Sequence, residues 1–288
     1  MKLVLRAIFL LLLAIGGTIL WMLSHEDQYI YFPEREIVQT PAGVGLSFRD
    51  IWFTTADGVK LHGWYMPHAH ARYTLLHLHG NAGNISQRLA QYRRWHAMGL
   101  SVFAFDYRGY GASEGTPSEE GLHSDAVAAW SLLQNPGYAA ADNIIIAGRS
   151  LGCAVAARLA GEVNPVGLAL EAPFTSLPDM AEAAYPWLPL RHFVRSRLDT
   201  EAAVRSQHAP LLLISAADDE IIPHEMADQI FAAANPPKLR GNLAGGHNDF
   251  DVKSESRYFT LWLQWLNKLP EKQSAPGQWV SREPNTLL

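Results

Sequence analysis

The sequence has little cysteine and no excess of basic residues. Cys153 is the single cysteine among 288 residues, which excludes an internal disulfide framework and a paired-cysteine metal or redox site. Lys and Arg together number 23 against 28 Asp and Glu, for a net charge of −5, so no overall basic field points to nucleic acid. With 48% hydrophobic residues and no internal repeat, the chain is long and apolar enough for one large globular domain.

Hydrophobic residues are concentrated at the N-terminus. Residues Ala7–Leu23 form 17 consecutive uncharged positions, which as a helix would span about 26 Å, close to the thickness of the hydrocarbon core of a bilayer. Lys2 and Arg6 precede this run, so the positive-inside rule predicts a single-pass signal-anchor over residues 1–24. The N-terminus would then be cytoplasmic and the rest of the chain extracytoplasmic, in the periplasm of a bacterium. A cleaved signal peptide and a buried helix are the alternatives.

Beyond residue 49, short apolar runs alternate with segments of helical length. The predicted strands are 50–55, 60–66, 74–79, 102–106, 143–147, 166–170, 211–215 and 238–243, and the predicted helices are 85–98, 118–133, 151–161 and 224–234. Because the central strands are apolar on both faces, this order predicts an α/β domain over residues 50–270, with a mixed, mostly parallel sheet covered by helices on both faces. The stretch 25–49 is predicted to be a linker, and residues 271–288 are predicted to be a polar C-terminal tail.

A G-x-S-x-G motif lies between the predicted strand 143–147 and the predicted helix 151–161. Its fixed residues are Gly148, Ser150 and Gly152, and a strand before and a helix after are the context that a nucleophile elbow requires. The turn is so tight that the flanking positions must be nearly free of side chains, which glycine provides. Ser150 is therefore the predicted nucleophile, and the helix N-terminus beside it favours developing negative charge.

A serine nucleophile needs a base, and the base needs an acid that orients it. His247 lies in a glycine-rich loop after the predicted last strand and is the predicted base. The acid is expected after the strand 211–215, where Asp218, Asp219 and Glu220 follow one another. Asp219 is the preferred candidate and Asp218 the alternative. The carboxylates that are not used are expected to be solvated loop charges.

The tetrahedral oxyanion of such a reaction needs backbone donors. The loop after the predicted strand 74–79 reads His-Gly-Asn-Ala-Gly-Asn. The N–H of Asn81 in this loop and that of Leu151, directly after the predicted nucleophile, are the expected oxyanion donors. His77 and His79 share one strand face, but no third ligand has suitable spacing, so no metal site is expected.

Taken together, these motifs resemble those of the Bem46-type α/β-hydrolases. The matching segments, within residues 45–267, are HGNAGN, FDYRGYGASEGTPSEEGL, GRSLG, EAPFTSLPDMA, ADDEIIP and GGHND. The resemblance implies the α/β-hydrolase fold and a triad of Ser150, Asp219 and His247. It favours Asp219 over Asp218, because the family pattern has the acid directly before the Glu-Ile-Ile-Pro stretch. It does not fix a substrate, since esterases, thioesterases, lipid hydrolases and peptidases share these motifs.

A segment of about 40 residues joins the predicted strands 166–170 and 211–215, at the place where an α/β-hydrolase usually inserts its lid. The lid is therefore expected to be small, and it is rich in aromatic residues and proline. Phe174, Tyr185, Trp187 and Leu188 are the candidate walls of an apolar substrate pocket. Ordinary packing over the sheet edge is an equal alternative for these residues.

These observations lead us to expect a membrane-anchored serine hydrolase that acts on esters or thioesters with acyl or lipophilic groups. Neither a metal nor an organic cofactor is expected. The expected partners are a small-molecule or lipid ester and, through the N-terminal helix, a membrane, but not nucleic acid. A serine aminopeptidase on the same fold is one alternative. A catalytically silent anchored scaffold is the other, although a scaffold has no need for all three triad residues.

Overall fold

The computed structural model describes residues 2–138 and 143–270, so the predicted tail 271–288 lies outside the described residues. At the N-terminus, helix α1 (Lys2–Ser24) is followed by the short helix α2 (Glu26–Ile30). Within the described ranges, no helix combines the length and the apolarity that a membrane crossing requires. The predicted signal-anchor over residues 1–24 is not supported by this finding and stays a prediction.

One sheet of eight strands forms the centre of the domain. The strands are β1 (Arg49–Thr54), β2 (Lys60–Met66), β3 (Thr74–Leu78), β4 (Ser101–Phe105), β5 (Ile144–Arg149), β6 (Gly167–Glu171), β7 (Leu211–Ala216) and β8 (Lys238–Leu243). Their order in the sheet is β1-β2-β4-β3-β5-β6-β7-β8. Strand β2 pairs in antiparallel fashion with β1 and β4, and the remaining pairs are parallel. The carboxyl ends of the parallel strands therefore meet at one edge of the sheet, where ligands bind in open α/β folds.

Helices cover both faces of this sheet. The helices that follow α1 and α2 in the chain are α3 (Leu89–Ala97), α4 (Glu119–Leu133), α5 (Leu151–Glu162), α6 (Leu177–Ala184), α7 (Thr200–Ser206), α8 (His224–Ala233), α9 (Phe250–Lys253) and α10 (Glu255–Leu266). Every residue of β3 to β7 is buried, because such strands face a helix layer on each side. Leu76 packs in the cluster that includes Leu122 of α4, whereas its neighbour Leu75 packs with Trp95 of α3 and Trp262 of α10. The predicted α/β class with a mixed, mostly parallel sheet is confirmed.

Two predicted segments differ from the structure. The predicted helix 85–98 is a 3-10 turn (Ile85–Gln87) followed by α3. Asn84 and Gln87 form a capping box at the start of this turn, in which the Asn84 side chain accepts a backbone N–H of the turn and the Gln87 side chain accepts the N–H of Asn84. The predicted linker 25–49 contains α2 and a 3-10 turn at Pro41–Val44, and its first part lies against the loops of the candidate site.

Candidate active site

Ser150 lies on the turn between β5 and α5. Its backbone has φ 52° and ψ −120°, a conformation that residues other than glycine rarely adopt and that stores strain. A Cβ on Gly148 would lie 2.3 Å from the carbonyl oxygen of Gly152, and a Cβ on Gly152 would lie 2.0 Å from the carbonyl oxygen of Leu78. Both distances are well inside van der Waals contact, so this turn requires glycine at both positions.

The structure brings Ser150, His247 and Asp219 into one chain of hydrogen bonds. The loops after β7 and β8 carry Asp219 and His247, and these two strands are neighbours in the sheet. Nε2 of His247 lies 3.0 Å from Oγ of Ser150, and Nδ1 of His247 lies 2.9 Å from Oδ2 of Asp219. Since an ionised carboxylate only accepts hydrogen bonds, Nδ1 carries the proton and Nε2 is left to accept the serine hydroxyl proton.

Asp219 is held ionised by the donors around it. Burial raises the pKa of its carboxyl group, but hydrogen bonds from His247 and from the N–H groups of Ile222 and Ile221 outweigh burial and lower the pKa below its ordinary value. Its Oδ1 accepts those two backbone bonds at 2.8 and 3.0 Å. A carboxylate fixed in this way holds the imidazole in one orientation and stabilises its charged form.

The carboxylates on either side of Asp219 have a part that sequence reasoning missed. Oδ2 of Asp218 accepts the N–H of Gly245 at 3.1 Å, and Oε2 of Glu220 accepts the N–H of His247 at 3.0 Å. Both residues are exposed, as expected for solvated loop charges, and in addition both bind the backbone of the histidine loop. The run Asp-Asp-Glu is the sequence signal for this arrangement. Its contacts with the glycine-rich histidine loop form because β7 and β8 are neighbours in the sheet.

The two expected oxyanion donors lie on either side of Ser150, Asn81 in the loop after β3 and Leu151 at the start of α5. A Cβ on Gly80 would lie 3.5 Å from Cβ of Ser150, so the loop carrying Asn81 packs against the nucleophile turn. Within the described residues, neither the N–H of Asn81 nor that of Leu151 donates to another protein group. Leu151 is the first residue of α5, whose N–H is one of the unpaired donors of a helix N-terminus. Both amides are thus available to a developing oxyanion.

The side chains of Arg88 and His79 bind the backbone carbonyl groups of the Asn81 loop. Nη2 of Arg88 donates to the carbonyl oxygens of Gly80, at 3.1 Å, and Ala82. Nδ1 of His79 lies 2.8 Å from the Gly80 carbonyl oxygen, and burial lowers the pKa of His79 to about 3, so this ring is neutral at pH 7 and donates that bond. His77 is also buried, with Nδ1 at 3.3 Å from the hydroxyl of Tyr92. Both histidines therefore have protein partners within the core.

Arg149, the residue before Ser150, ties the nucleophile turn to the histidine loop. Its Nη2 donates to the carbonyl oxygen of His247 at 3.1 Å and to Oδ1 of Asp251 at 3.3 Å, and its Nη1 lies 3.7 Å from Oε2 of Glu171. Its guanidinium carbon lies 4.6 Å from the ring centroid of Phe250. Sequence reasoning missed this network. The available signal was a charge at the end of each of two neighbouring apolar strands, since Arg149 and Glu171 are partners in the sheet register.

The four candidate pocket residues are separated by the structure. Phe174 is buried in the core directly after β6. Tyr185, Trp187 and Leu188 follow α6 and are exposed, Trp187 to 75%. These three side chains therefore lie at the surface rather than line a closed pocket. Their part in substrate binding stays a prediction.

Three comparisons place these features among known proteins. The model of the family Hydrolase_4, described as serine aminopeptidase, S33, matches residues 69–208. Protein bem46 of Schizosaccharomyces pombe is 31% identical over 80% of this chain and 80% of its own length. Lysophosphatidylserine lipase ABHD12 of Macaca fascicularis is 30% identical over 75% of this chain and 58% of its own length. The Pyrococcus furiosus esterase Pf2001 superposes with a TM-score of 0.70 at 21% identity, covering 83% of this chain and 97% of that structure.

Proposed function

This chain belongs to the Bem46-type α/β-hydrolase family, and from that premise we propose that it is a serine hydrolase that cleaves carboxylic ester or thioester bonds. Ser150 would be the nucleophile, His247 the base and Asp219 the acid that orients it. The observation that carries the proposal is the continuous chain of hydrogen bonds, 3.0 Å from Oγ of Ser150 to Nε2 and 2.9 Å from Nδ1 to Oδ2 of Asp219. A serine hydroxyl is activated when it lies within hydrogen-bond distance of a base and a third group orients that base.

The proposed reaction has two halves. Oγ of Ser150 attacks the carbonyl carbon while its proton passes to Nε2 of His247, and the oxygen that becomes negative binds the N–H groups of Asn81 and Leu151. The tetrahedral intermediate then collapses, the bond to the alcohol or thiol breaks, and the leaving group takes the proton from His247. Water, deprotonated by the same histidine, attacks the acyl-serine; the bond to Oγ then breaks, Oγ takes the proton back from His247, and the acid is released. Asp219 stays ionised throughout, which its lowered pKa supports.

An ester substrate is favoured by the similarity to lysophosphatidylserine lipase ABHD12, at 30% identity. The exposed aromatic lid is compatible with a lipophilic group, because an apolar surface beside a site favours an apolar ligand. The family model described as serine aminopeptidase favours the second candidate, hydrolysis of an aminoacyl amide. The same triad and oxyanion donors serve both reactions. Preference for an ester or for an aminoacyl amide therefore depends on how the site binds the leaving group and the free α-amino group of the substrate.

Ester and amide substrates separate these candidates directly. The full chain, Ser150→Ala and the matched control Asp218→Asn would be assayed with p-nitrophenyl butyrate, a butyryl thioester and aminoacyl p-nitroanilides. We expect hydrolysis of the first two by the full chain and by Asp218→Asn, and none by Ser150→Ala. Turnover of the anilides alone would replace the esterase proposal with the aminopeptidase. No turnover of any substrate by folded protein would leave the scaffold alternative.

Membrane attachment is proposed from the sequence, on the 17 uncharged residues Ala7–Leu23. The full chain and a form lacking residues 2–24 would be expressed and their membranes washed with alkaline carbonate. Retention of the full chain and release of the shortened form is the expected result. Release of both would refute attachment through this helix.

A further inference from the structure

The segment Glu26–Glu36, here called the strap, lies against the loop that carries Asn81 and against residues 195–196, although it precedes the α/β domain in the chain. Pro33 forms a parallel bridge with Gly83, and the carbonyl oxygen of Glu34 accepts the N–H of Gly111 at 2.8 Å. Tyr31 is buried, in the same hydrophobic cluster as Tyr110. The strap is thus packed onto the domain through both backbone and side-chain contacts.

One end of the strap holds the loop that carries an oxyanion donor. The side chain of Asn81 donates through Nδ2 to the carbonyl oxygen of Ile30 at 2.5 Å and accepts the N–H of Phe32 at 3.1 Å. Its Oδ1 also accepts the hydroxyl of Tyr110 at 2.9 Å. Three residues further, Nδ2 of Asn84 donates to the carbonyl oxygen of Glu36 at 2.6 Å. The Asn81 loop is therefore bound on its outer side by the strap.

The other end of the strap binds the lid, which is defined here as residues 177–198. The contacts are to residues 195–198, here called the stem of the lid. The carboxylate of Glu26 accepts the N–H of Arg195 at 3.1 Å and that of Ser196 at 2.8 Å. Burial raises the pKa of Glu26, but these backbone bonds outweigh burial and lower it below its ordinary value. Glu119 of α4 accepts the next two amides, those of Arg197 and Leu198, both at 2.7 Å. Four consecutive amides of the stem are bound by two carboxylates.

Because one short segment binds both the lid stem and the oxyanion loop, the positions of these two parts are linked. We propose that the strap sets the geometry of the active site, with Glu26 positioning the lid and the side chain of Asn81 positioning the oxyanion N–H. The effect on catalysis rests on the proposed function; the effect on the lid does not. Glu26 and the Asn81 side chain are positioning residues, since each acts through backbone groups of the site.

Limited proteolysis tests the lid end without any catalytic readout. Arg191, Arg195 and Arg197 give trypsin three sites within the lid, and cleavage of a native loop follows the population in which it opens. The full chain carrying Glu26→Gln would be compared with Asp27→Asn, the same chemical change at the exposed neighbouring carboxylate. Because Glu26 also pairs with Nε of Arg195 at 3.3 Å, only cleavage after Arg191 and Arg197 is counted. We expect that cleavage to be about tenfold faster in Glu26→Gln, the equivalent of one charge-assisted hydrogen bond, and unchanged in Asp27→Asn.

Cleavage of Glu26→Gln at the rate of the unsubstituted chain would overturn the proposal. Where Glu26→Gln does not fold, hydrogen exchange of the unsubstituted chain decides. The amides of Arg195 and Ser196 are then expected to exchange at least about tenfold more slowly than unstructured amides. Exchange at the unstructured rate would overturn the proposal equally.

The oxyanion end is tested by separating kcat from KM. In Asn81→Ala the backbone N–H remains, but its loop loses the contacts to Ile30 and Phe32. We expect kcat for an ester to fall about 10- to 100-fold with KM changed less than about threefold, because misplacement of a donor acts on the transition state. Unchanged kcat in a folded Asn81→Ala protein would refute this part. An unsubstituted chain without activity would refute the proposed function, while the proteolysis result would still stand.

Discussion

Replacement of Arg149 by methionine tests how the nucleophile turn and the histidine loop are joined. Methionine keeps much of the side-chain volume but removes all of the guanidinium bonds. The carbonyl oxygen of His247 loses its donor at 3.1 Å, and the buried carboxylates of Glu171 and Asp251 lose a positive charge within 3.7 and 3.3 Å. The substitution therefore changes both the stability of the domain and the position of the base.

The expected loss can be derived from what each carboxylate retains. Removal of one partner from a buried ion pair costs about 3–5 kcal/mol, because an uncompensated charge remains. Asp251 keeps Arg94 at 2.6 Å. Glu171 keeps three donors: the hydroxyl of Tyr258 at 2.6 Å, the side-chain amide of Gln91 at 2.8 Å and the indole N–H of Trp262 at 3.2 Å. The lower end of that range applies, and we expect the free energy of unfolding to fall by about 3 kcal/mol.

Urea denaturation of the full chain, Arg149→Met, Glu171→Gln and the double variant measures this loss and its origin. Burial raises the pKa of Glu171 to about 7, so the comparison is made at a pH above this value, where the carboxylate is ionised. Because Glu171→Gln then removes the charge that faces Arg149, the double variant should recover about 1 kcal/mol relative to the sum of the single changes. Labelling of the folded Arg149→Met protein by a fluorophosphonate should also be slower, because the loop of His247 has lost a contact. A loss of under about 1 kcal/mol, with labelling at the unsubstituted rate, would refute the role given to Arg149.

Three further predictions concern the turn and the acid. Gly152→Ala should lower the rate of ester hydrolysis about 100-fold, because a Cβ 2.0 Å from the carbonyl oxygen of Leu78 forces the nucleophile turn to shift by more than about 1 Å. Gly43→Ala is the control, because the nearest atom to a Cβ there is at 3.5 Å. Equal rates of hydrolysis by the two variants would contradict the steric explanation. Asp219→Asn should lower kcat about 10⁴-fold, measured against Asp218→Asn, and a loss below about tenfold would exclude Asp219 as the acid. The pKa of Asp219 is lowered in the folded state from an ordinary 3.8. Its contribution to the free energy of unfolding should therefore be constant at pH values above 3.8 and should be lost as the pH falls through the folded pKa. The free energies of unfolding of the full chain and of Asp219→Asn, measured in urea, should converge in acid, and a difference that grows in acid would contradict this prediction.

Local sterics and chain order made much of the site predictable. Gly148 is required by the turn itself, because its Cβ would meet the carbonyl oxygen of Gly152, whereas Gly152 is required by the close approach of Leu78 on β3. The strand pattern predicts adjacent carboxyl ends, and His247 and Asp219 follow two such ends. The order of apolar runs likewise determines the α/β class, because burial on both faces requires helix layers on both sides.

The contacts that sequence reasoning missed join residues far apart in the chain. Glu26 binds the amide of Ser196, 170 positions away, and no local period distinguishes such a carboxylate from a solvated one. Arg149 and Glu171 meet only because β5 and β6 are neighbours in the sheet. Residues 25–49 have the composition of a linker, yet the strap within them is fixed by hydrogen bonds to distant loops. Amino-acid composition carries no information about such contacts.

The central claim is that Ser150 is a nucleophile activated by His247. Labelling of the folded full chain with a fluorophosphonate, followed by mass spectrometry of its peptides, locates the reactive residue directly. We predict that the label lies on Ser150, that Ser150→Ala is unlabelled, and that His247→Ala is labelled far more slowly. A label on another residue, or none on the folded full chain, would contradict the account.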